Sequence, residues 1–372
     1  MSKALVLAET IDNLGDLALT LQLADGLKAH CGVEDIAVQQ WNLPSSPMVA
    51  QAAGHGLRVR PGKSPAALLE PGRAVVFGGG QVVRGNKSAA SMLALLMQLV
   101  FARLRGDARL ALAIGIGPCE SRLRRVLWRL ILSNLQLITV RDAVSLHRAG
   151  ELCGTGRPVM LTADLAFARG PLHRLLEAPA AGQPAGILIA PCHDPGEHRV
   201  LDAEAVASLA FEAAAAAGER RVRIVLHDGR PGMDARFAAR LEAVLRARGF
   251  EDVAVVADGV LQTLLGHYRS ARCVLTNRLH AAVFALLARR PVVIIDDGND
   301  KLSSMARSFA IPLLAQDARP STETLERLRG ELFQGGSRDR ELALDQARGL
   351  ADENFALAAP FVGTLQGRRA LC

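Results

Sequence analysis

The sequence predicts an α/β protein of two doubly wound domains, each with a parallel sheet covered by helices on both faces. The chain has 372 residues, which fits two domains of ordinary size. Short apolar runs alternate with longer helical patterns in both halves, as expected for successive β-α-β units. The stretch APAAGQPAG, which begins at residue 178, is typical of an interdomain linker. We therefore expect domains over residues 1–178 and 184–372, facing each other across a cleft.

The first half contains five apolar runs of strand length, with helical patterns between several of them. The strands are predicted at Ala4–Ala8, Ile36–Gln40, Ala74–Phe77, Leu110–Ile114 and Leu137–Val140. The helices are predicted at Leu17–Ala29, Ser91–Arg105, Arg122–Ser133 and Ala143–Ala149. Because these strand runs are apolar throughout, they indicate strands buried on both faces of a parallel sheet.

The second half repeats this pattern. Strands are predicted at Ile187–Ala190, Arg223–Leu226, Val253–Val256, Cys273–Thr276 and Val292–Ile295. Helices are predicted at Ala203–Ala217, Asp234–Arg248, Leu261–Tyr268, Leu279–Leu287 and Lys301–Phe309, with two more between Ser321 and Ala358. Both halves are thus Rossmann-like, a fold class whose ligands bind beyond the carboxyl ends of the strands. The residues that directly follow each strand are therefore the candidates for function.

The composition limits the class of partner. The formal net charge is +7, which favours anionic ligands or surfaces, although much of the charge is arginine on predicted helix surfaces. Only 4% of the residues are aromatic, and no run of five or six like charges occurs. The sequence therefore lacks both the aromatic side chains on which bases stack and the basic tails that bind phosphates. We expect no nucleic-acid partner.

The cysteines and the N-terminus indicate a cytoplasmic protein. The six cysteines are widely spaced and form no C-x-x-C pair, so the sequence gives no support to a zinc ribbon or a redox motif. The N-terminus enters a strand-like run without the apolar core of a signal peptide. The longest apolar stretch, Met92–Ala102, is too short to span a bilayer.

Three glycine-containing turns follow strands in the first half. Asn13, Gly15 and Asp16 occupy the first turn, where helix capping alone explains such residues in most proteins. Gly79 and Gly80 belong to a triple glycine that lets the backbone approach a ligand or simply makes a tight turn. Neither a P-loop nor a G-x-G-x-x-G pattern is present, so ATP and NAD are not indicated. A further small-residue turn, AIGIGP, ends near residue 118.

Charged residues follow several other strands. Arg141 precedes the helix cap Asp142, and its guanidinium suits either an anionic ligand or a structural salt bridge. His227 and Asp228 follow a strand of the second half. The segment CHDPGEHR supplies metal-ligating residue types, but its spacing fits no standard zinc pattern, so we expect a polar loop and no metal site.

The segment from residue 274 to 312 carries the most specific pattern. Arg278 and His280 lie at the start of a helix that follows a strand. The next strand is followed by Asp296, Asp297, Asp300 and Lys301. Helix N–H groups, a guanidinium and an ammonium at one sheet edge would bind a small multiply charged anion. The alternative for His280 is a histidine satisfied within the core.

Taken together, these motifs resemble the polysaccharide pyruvyl transferase family. The resemblance covers roughly residues 10 to 312 and lies in the order of N-x-G-D, G-G-G, R-D-x-x-S, D-x-A-F, N-R-L-H and D-K. It implies a fold similar to the two-domain GT-B glycosyltransferases. It also implies transfer of pyruvate from phosphoenolpyruvate to a saccharide as a ketal, without a cofactor. The chain differs in reading IIDDGND where family members often carry an aromatic residue.

By motif, the resemblance implies roles for individual residues. Arg141, Arg278 and Lys301 are expected to bind the donor. From the chemistry of the reaction, His280 is the candidate general acid or a hydrogen-bond donor to the phosphate. Asp16 is the candidate for orienting or deprotonating the acceptor hydroxyls. The remaining candidates for the acceptor side or the cleft lining are Asn13, Gly15, Gly79, Gly80, His227 and Asp300.

The resemblance further implies an acceptor saccharide on a lipid carrier, with a peripheral contact to the inner membrane face left open. The segment Arg122–Arg129 interleaves arginine with apolar residues, which suits either an interfacial helix or an ordinary amphipathic helix against the core. Two other functions remain open at this stage. One is a glycosyltransferase that uses a sugar nucleotide on the same fold, and the other is a non-catalytic glycan-binding protein.

Overall fold

The structure is a computed structural model that describes residues 3–8, 11–40, 46–61, 73–154, 158–179, 182–194, 199–230, 232–316, 321–334 and 338–369. By its internal contacts the chain divides into two compact units. Unit 1 comprises Met1–Ile11, Asp16–Pro171 and Ala347–Cys372, and unit 2 comprises Asp12–Gly15 and Leu172–Gln346. No helix of the described residues is both long enough and apolar enough to cross a membrane.

Unit 1 is built around a parallel sheet. Its strands are β1 Lys3–Ala8, β2 Asp35–Gln40, β3 Arg58–Pro61, β4 Arg73–Gly78, β5 Gln81–Val83, β6 Ala108–Ile116, β7 Leu137–Val140 and β8 Met160–Leu161. Its helices are α1 Leu14–Cys31, whose first two residues belong to unit 2, α2 Ser46–Gly54, α3 Ala89–Leu104, α4 Arg122–Ser133 and α5 Ala143–Cys153. The strand order is β3-β2-β1-β4-β6-β7-β8, and β5 pairs with β6. All nine residues of β6 are buried, as expected for a central strand covered on both faces.

Unit 2 contains a second parallel sheet. Its strands are β9 Ile187–Ala190, β10 Arg221–Val225, β11 Asp252–Val256, β12 Cys273–Thr276, β13 Val292–Asp296 and β14 Leu313–Ala315. Its helices are α6 Pro171–Glu177, α7 Ala203–Ala217, α8 Asp234–Ala247, α9 Leu261–Ser270, α10 Leu279–Leu287, α11 Asp300–Ser308, α12 Thr322–Gln334 and the start of α13 Arg338–Arg369. The strand order is β11-β10-β9-β12-β13-β14. An Ala- and Leu-rich core between α7, α8 and the sheet fills the interior.

The two parallel α/β units confirm the predicted fold class, and most predicted elements are present. The sequence interpretation missed the short strands β3, β5, β8 and β14 and the short helices α2 and α6. These strands have two to four residues. Such lengths are too short for an apolar run to stand out from a loop.

The division into units differs from the predicted domains at both ends of unit 2. The boundary falls at Pro171 and Leu172 rather than in the small-residue stretch that begins at residue 178. The second half of α13 belongs to unit 1, where Asn354 Oδ1 accepts hydrogen bonds from the hydroxyls of Thr139 and Thr162. All three side chains are buried. These buried hydrogen bonds give α13 a physical reason to end on unit 1.

Candidate active site

The sheet of unit 2 reverses its direction of winding between β9 and β12. Its order corresponds to 3-2-1-4-5-6 along the chain. In open parallel sheets, ligands bind beyond the carboxyl ends of the strands at this reversal. The loops that begin at Pro191 and Asn277 follow these two strands, so they form the base of the candidate site.

Arg278 is a fixed, buried cation at this place. Its Nε and Nη2 atoms donate to the Pro191 carbonyl at 3.3 Å, and Nη2 also donates to Asp234 Oδ2 at 2.5 Å. Its backbone N–H donates to the Thr276 hydroxyl at 2.9 Å. Burial opposes the charged form, but the carboxylates of Asp234 and Asp228 hold the pKa of Arg278 above its ordinary value. Among the described residues no acceptor contacts Nη1.

His280 lies in the first turn of α10, and Gly15 packs against its ring. A Cβ atom at Gly15 would lie 2.4 Å from His280 Nδ1 and 2.8 Å from Cγ. Gly15 does not have a left-handed φ, so the imidazole rather than the turn requires glycine here. Asn13 Oδ1 accepts the Gly15 N–H at 2.8 Å, and Asn13 forms an antiparallel bridge with Asp228. The capping prediction for Asn13 is therefore confirmed. We call Asn13, Gly15, His227, Arg278 and His280 the unit-2 cluster.

His227 is the buried member of this cluster and does not reach the surface. It is 1% exposed, its Nε2 lies 2.7 Å from the Tyr268 hydroxyl, and its ring stacks on Phe284 with centroids 5.7 Å apart. Burial lowers the pKa of His227 well below its ordinary value, and the charges of Arg278 and His280 act in the same direction. The ring is therefore neutral at physiological pH. The expectation that His227 lines the cleft is corrected, because burial removes it from ligand contact.

A partly buried network of hydrogen bonds that the sequence interpretation missed connects three loops of unit 2. Arg199 Nε donates to Asp297 Oδ2 at 2.8 Å, and Asn277 Nδ2 donates to the same oxygen at 2.9 Å. Arg199 also donates to Cys192 Sγ at 3.0 Å and to the Asn277 carbonyl. These residues follow β9, β12 and β13, so Asp297 has a structural role in fixing the loops around the site.

Lys301 lies on the same edge of the unit-2 sheet as Arg278. Asn299 caps α11 by accepting the Lys301 N–H at 3.0 Å. The strand before α11 is β13, which pairs directly with β12. Lys301 is partly exposed, and the neighbouring Asp300 is exposed. Parallel strands bring their carboxyl ends together, so both cations belong to the edge where an anion would bind.

The segment with metal-ligating residue types has structural contacts where it is described. His193 stacks on Phe237 with centroids 5.4 Å apart, and Asp194 forms a backbone bridge with Arg199. Glu197 and His198 lie outside the described residues. Within the described ranges, no group of three or more His, Cys, Asp and Glu side chains could hold a metal ion.

Unit 1 has its own buried arginine at the carboxyl edge of its sheet. Arg141 follows β7, and its Nη1 donates to Asp164 Oδ2 at 2.8 Å, while Nε lies 3.6 Å from Asp142 Oδ2. The structural salt bridge considered for Arg141 is thus present. A Cβ atom at Gly115 would lie 3.1 Å from the guanidinium, and the Gly115 N–H donates to the Gly80 carbonyl at 2.8 Å. Glycine therefore allows the guanidinium to lie against the backbone here.

The glycines of the unit-1 triplet differ in their surroundings. Gly79 packs closely on a helix, whereas Gly80 borders a small cavity. Gly79 and Gly80 have φ values of 63° and 66°, which favour glycine. A Cβ atom at Gly79 would lie 3.0 Å from Leu19 Cβ, whereas at Gly80 the nearest atom is Asp16 Oδ1 at 3.6 Å. Asp16 and Gly80 line a cavity of about 20 Å³, which holds about one water molecule. Close packing on α1 therefore explains Gly79, while Gly80 lies beside the candidate carboxylate.

The family follows from comparison with known proteins. A profile of the family described as polysaccharide pyruvyl transferase matches residues 13–299. The chain belongs to the polysaccharide pyruvyl transferase family. The match includes Asn13 at its first residue, as well as Arg278 and His280 of the R-L-H motif. No curated protein matches the sequence significantly.

Solved structures show that this pyruvyl transferase family member has a GT-B-like fold. UDP-GlcNAc 2-epimerase from Neisseria meningitidis, bound to UDP-GlcNAc, has a TM-score of 0.61 at 12% identity, covering 95% of this chain and 98% of that one. The S. aureus MnaA–UDP structure has a TM-score of 0.62 at 10% identity, with 98% of each chain covered. The glycosyltransferase SnogD from Streptomyces nogalater has a TM-score of 0.50 at 16% identity, with 98% and 100% covered. Identities this low support the fold alone.

The structure assigns the predicted residues of this pyruvyl transferase family member to two groups. Unit 2 contains the cluster defined above together with Lys301 and Asp300, and unit 1 contains Asp16, Gly79, Gly80 and Arg141. The sequence did not predict that Asp164 would pair with Arg141, or Asp234 with Arg278. Asp164 belongs to the D-x-A-F motif, whereas Asp234 looks like an ordinary first residue of a helix.

Proposed function

We propose that this protein transfers the pyruvyl group of phosphoenolpyruvate to two hydroxyls of a saccharide, forming a cyclic ketal and releasing phosphate. The observation that carries the proposal is the unit-2 cluster. Gly15 packs on His280, and Arg278 precedes it at the reversal of the sheet. Two family motifs that are far apart in the sequence thus meet in one unit.

The cations of unit 2 suit the charge of this donor. Phosphoenolpyruvate carries a phosphate and a carboxylate, and guanidinium groups form strong charge-assisted hydrogen bonds with both. Arg278 is held by Asp234 and Pro191, so its side chain loses little further freedom when a ligand binds Nη1. Lys301 is the second proposed donor contact of this unit.

The reaction requires one proton delivered to carbon and two protons removed from hydroxyls. Protonation of the methylene carbon of phosphoenolpyruvate forms the methyl group and leaves positive charge at C2. One saccharide hydroxyl adds to C2 and loses its proton. The second hydroxyl then attacks C2, the bond to phosphate breaks, and its proton leaves with the phosphate. One hydroxyl proton thus balances the proton given to carbon, and the other balances the charge of the released phosphate.

His280 is the proposed general acid, because a histidine imidazole can carry a proton and deliver it to a bound substrate. The packing of Gly15 against the ring fixes its orientation, which a proton donor needs. Asp16 in unit 1 is the proposed group that orients or deprotonates the acceptor hydroxyls. The arginine and lysine side chains stabilise the negative charge of the leaving phosphate, so the scheme proceeds without a metal ion.

The acceptor is proposed to be a saccharide carried on a lipid, within the assembly of a cell-surface or extracellular polysaccharide. The family description supports a polysaccharide substrate, and the lipid carrier is the finer part of the proposal. A carrier diphosphate would add negative charge to the acceptor. The net charge of +7 favours such a substrate.

Donor binding tests the proposal without requiring the acceptor. Calorimetry should show that the protein binds phosphoenolpyruvate and that Lys301→Gln weakens binding by about tenfold, since a charge-assisted hydrogen bond is lost. Arg307→Gln is the matched control, because Arg307 is exposed on the same helix α11. Binding of UDP-sugars in place of phosphoenolpyruvate would instead support the glycosyltransferase alternative. Absence of phosphoenolpyruvate binding in a folded protein would contradict the proposal.

A further inference from the structure

Helices α3 and α4 lie side by side on one face of the unit-1 sheet. Both helices connect neighbouring parallel strands, and right-handed crossovers in the same direction place them on the same side. Their inward side chains join a single core that includes Met92, Leu95, Leu99, Leu127, Trp128 and Ile131. The opposite faces of both helices therefore point away from the sheet together.

These outward faces carry a concentration of exposed apolar side chains. Seven of the fifteen large exposed hydrophobic residues of the described chain lie on these two helices. They are Leu93 (50% exposed), Met97 (52%), Phe101 (44%) and Leu104 (77%) on α3, and Leu123 (61%), Val126 (53%) and Leu130 (44%) on α4. Their spacing of three or four residues aligns them in a stripe along each helix. We call these seven residues the α3–α4 patch.

The charged residues within the two helices all have the same sign. The two helices contain five arginines and no Asp or Glu. Arg122, Arg125 and Arg129 are exposed among the apolar residues of α4, and Arg103 is exposed beside Phe101 and Leu104 on α3. An apolar stripe with a basic flank is the pattern of helices that lie in the interface of an anionic bilayer.

We propose that the α3–α4 patch docks unit 1 onto the surface of an anionic lipid bilayer. The apolar side chains would enter the headgroup boundary, and the arginines would contact lipid phosphates. A second copy of the chain fits the patch less well. An isologous contact would bring the arginines of both copies together without a compensating carboxylate from either helix. The proposal does not depend on the chemistry of the active site.

The position of α4 relates this docking surface to the candidate site residues of unit 1. The helix follows β6, so its first residues, Arg122 and Leu123, lie at the carboxyl edge of the unit-1 sheet. Arg141 and Gly80 lie on the same edge. A bilayer at the patch would therefore lie near the edge of unit 1 that carries its candidate site residues. A saccharide anchored to a membrane lipid could be modified there without leaving the membrane.

Vesicle flotation tests this surface. The full-length protein is mixed with vesicles of phosphatidylcholine alone or with about 30% phosphatidylglycerol, and the bound fraction is measured at low and high salt. We expect binding only to the anionic vesicles, with a decrease at high salt. Leu123→Ser/Leu130→Ser and, separately, Arg122→Gln/Arg125→Gln should each reduce binding by about tenfold.

Matched variants separate the patch from a general surface effect. Leu342→Ser/Leu350→Ser removes exposed leucines from α13, and Arg236→Gln/Arg240→Gln removes exposed arginines from α8. Both should bind anionic vesicles as the wild type does. Equal binding by patch and control variants, or no binding by the wild type, would overturn the proposal. Sedimentation that shows a dimer which only the patch variants dissociate would assign the patch to a second copy instead.

Discussion

At position 15 the imidazole of His280 leaves room for a hydrogen atom and no more. The motif residue Gly15 is therefore explained by a side chain far away in the sequence, and the turn itself does not require glycine. The Oδ1 atom of Asn13 accepts the N–H of Gly15, so Asn13 holds the glycine in its position against the imidazole ring. A methyl group there should push the imidazole out of its position.

Replacing Gly15 by alanine tests this support. Overpacking typically costs about 1–3 kcal/mol, so Gly15→Ala should lower the free energy of unfolding by that amount. The cost should largely vanish when His280→Ala is added, because the opposing atoms are gone. Gly150→Ala is the control, since Gly150 lies in α5 with nothing within 4 Å of a Cβ atom. Denaturant unfolding of Gly15→Ala, His280→Ala, the double variant and Gly150→Ala checks the prediction. An undiminished cost of Gly15→Ala in the His280→Ala background would contradict it.

The buried His227 should make stability fall in mild acid. Its pKa is lowered in the folded protein, so below about pH 6.5 the unfolded chain takes up a proton that the folded chain does not. Stability is complete above that pH and should be lost by at most about 1.4 kcal/mol per pH unit below it. The decline should be shallower in His227→Gln, measured by unfolding between pH 7 and pH 5. The exposed His55→Gln serves as the control, and parallel curves for all three proteins would refute this role.

Some site residues can be predicted from the sequence because they directly follow an apolar run of strand length. Arg278 and His280 follow an apolar run that leads directly into a helix, and that order places them at the edge of a parallel sheet. Asp234 and Arg199 have no such signal, because they act through partners brought close only by the fold. The same reason explains His227, whose burial depends on Tyr268 and Phe284 from other helices.

At the scale of elements, helix α7 has clear capping signals at both ends. Asp202 caps α7 by accepting the Ala205 N–H at 2.9 Å, and Gly218 ends the helix in the left-handed conformation. The prediction of Ala203–Ala217 matches the observed helix residue for residue. The second half of α13 was assigned to the wrong unit, since a helical pattern does not show which sheet it packs against.

The packing of α13 on unit 1 depends on Phe355. This side chain is buried against Gly26, where a Cβ atom would lie 2.1 Å from its ring. Phe355→Ala should lower the free energy of unfolding by about 3–5 kcal/mol, because it leaves a cavity. Leu350→Ala, at a half-exposed position of the same helix, should cost much less. Thermal unfolding compares the two variants, and equal losses would show that the helix does not depend on this contact.

At the scale of the whole molecule, both units repeat one arrangement. Each has a parallel sheet whose carboxyl edge carries a buried arginine held by an aspartate, Arg141 with Asp164 and Arg278 with Asp234. A guanidinium held in one position in this way loses little conformational entropy when it binds an anion. Each unit thus carries a fixed cation at the edge of its sheet where an anion could bind.

Turnover tests the central claim most directly. The protein is incubated with carbon-labelled phosphoenolpyruvate and a lipid-linked saccharide extract, and phosphate release and label in the saccharide are both measured. We expect equal amounts of phosphate and acid-labile ketal, dependent on the saccharide and abolished by His280→Gln. Release of nucleotide from sugar nucleotides in the same extract, with no label transferred from phosphoenolpyruvate, would contradict the account.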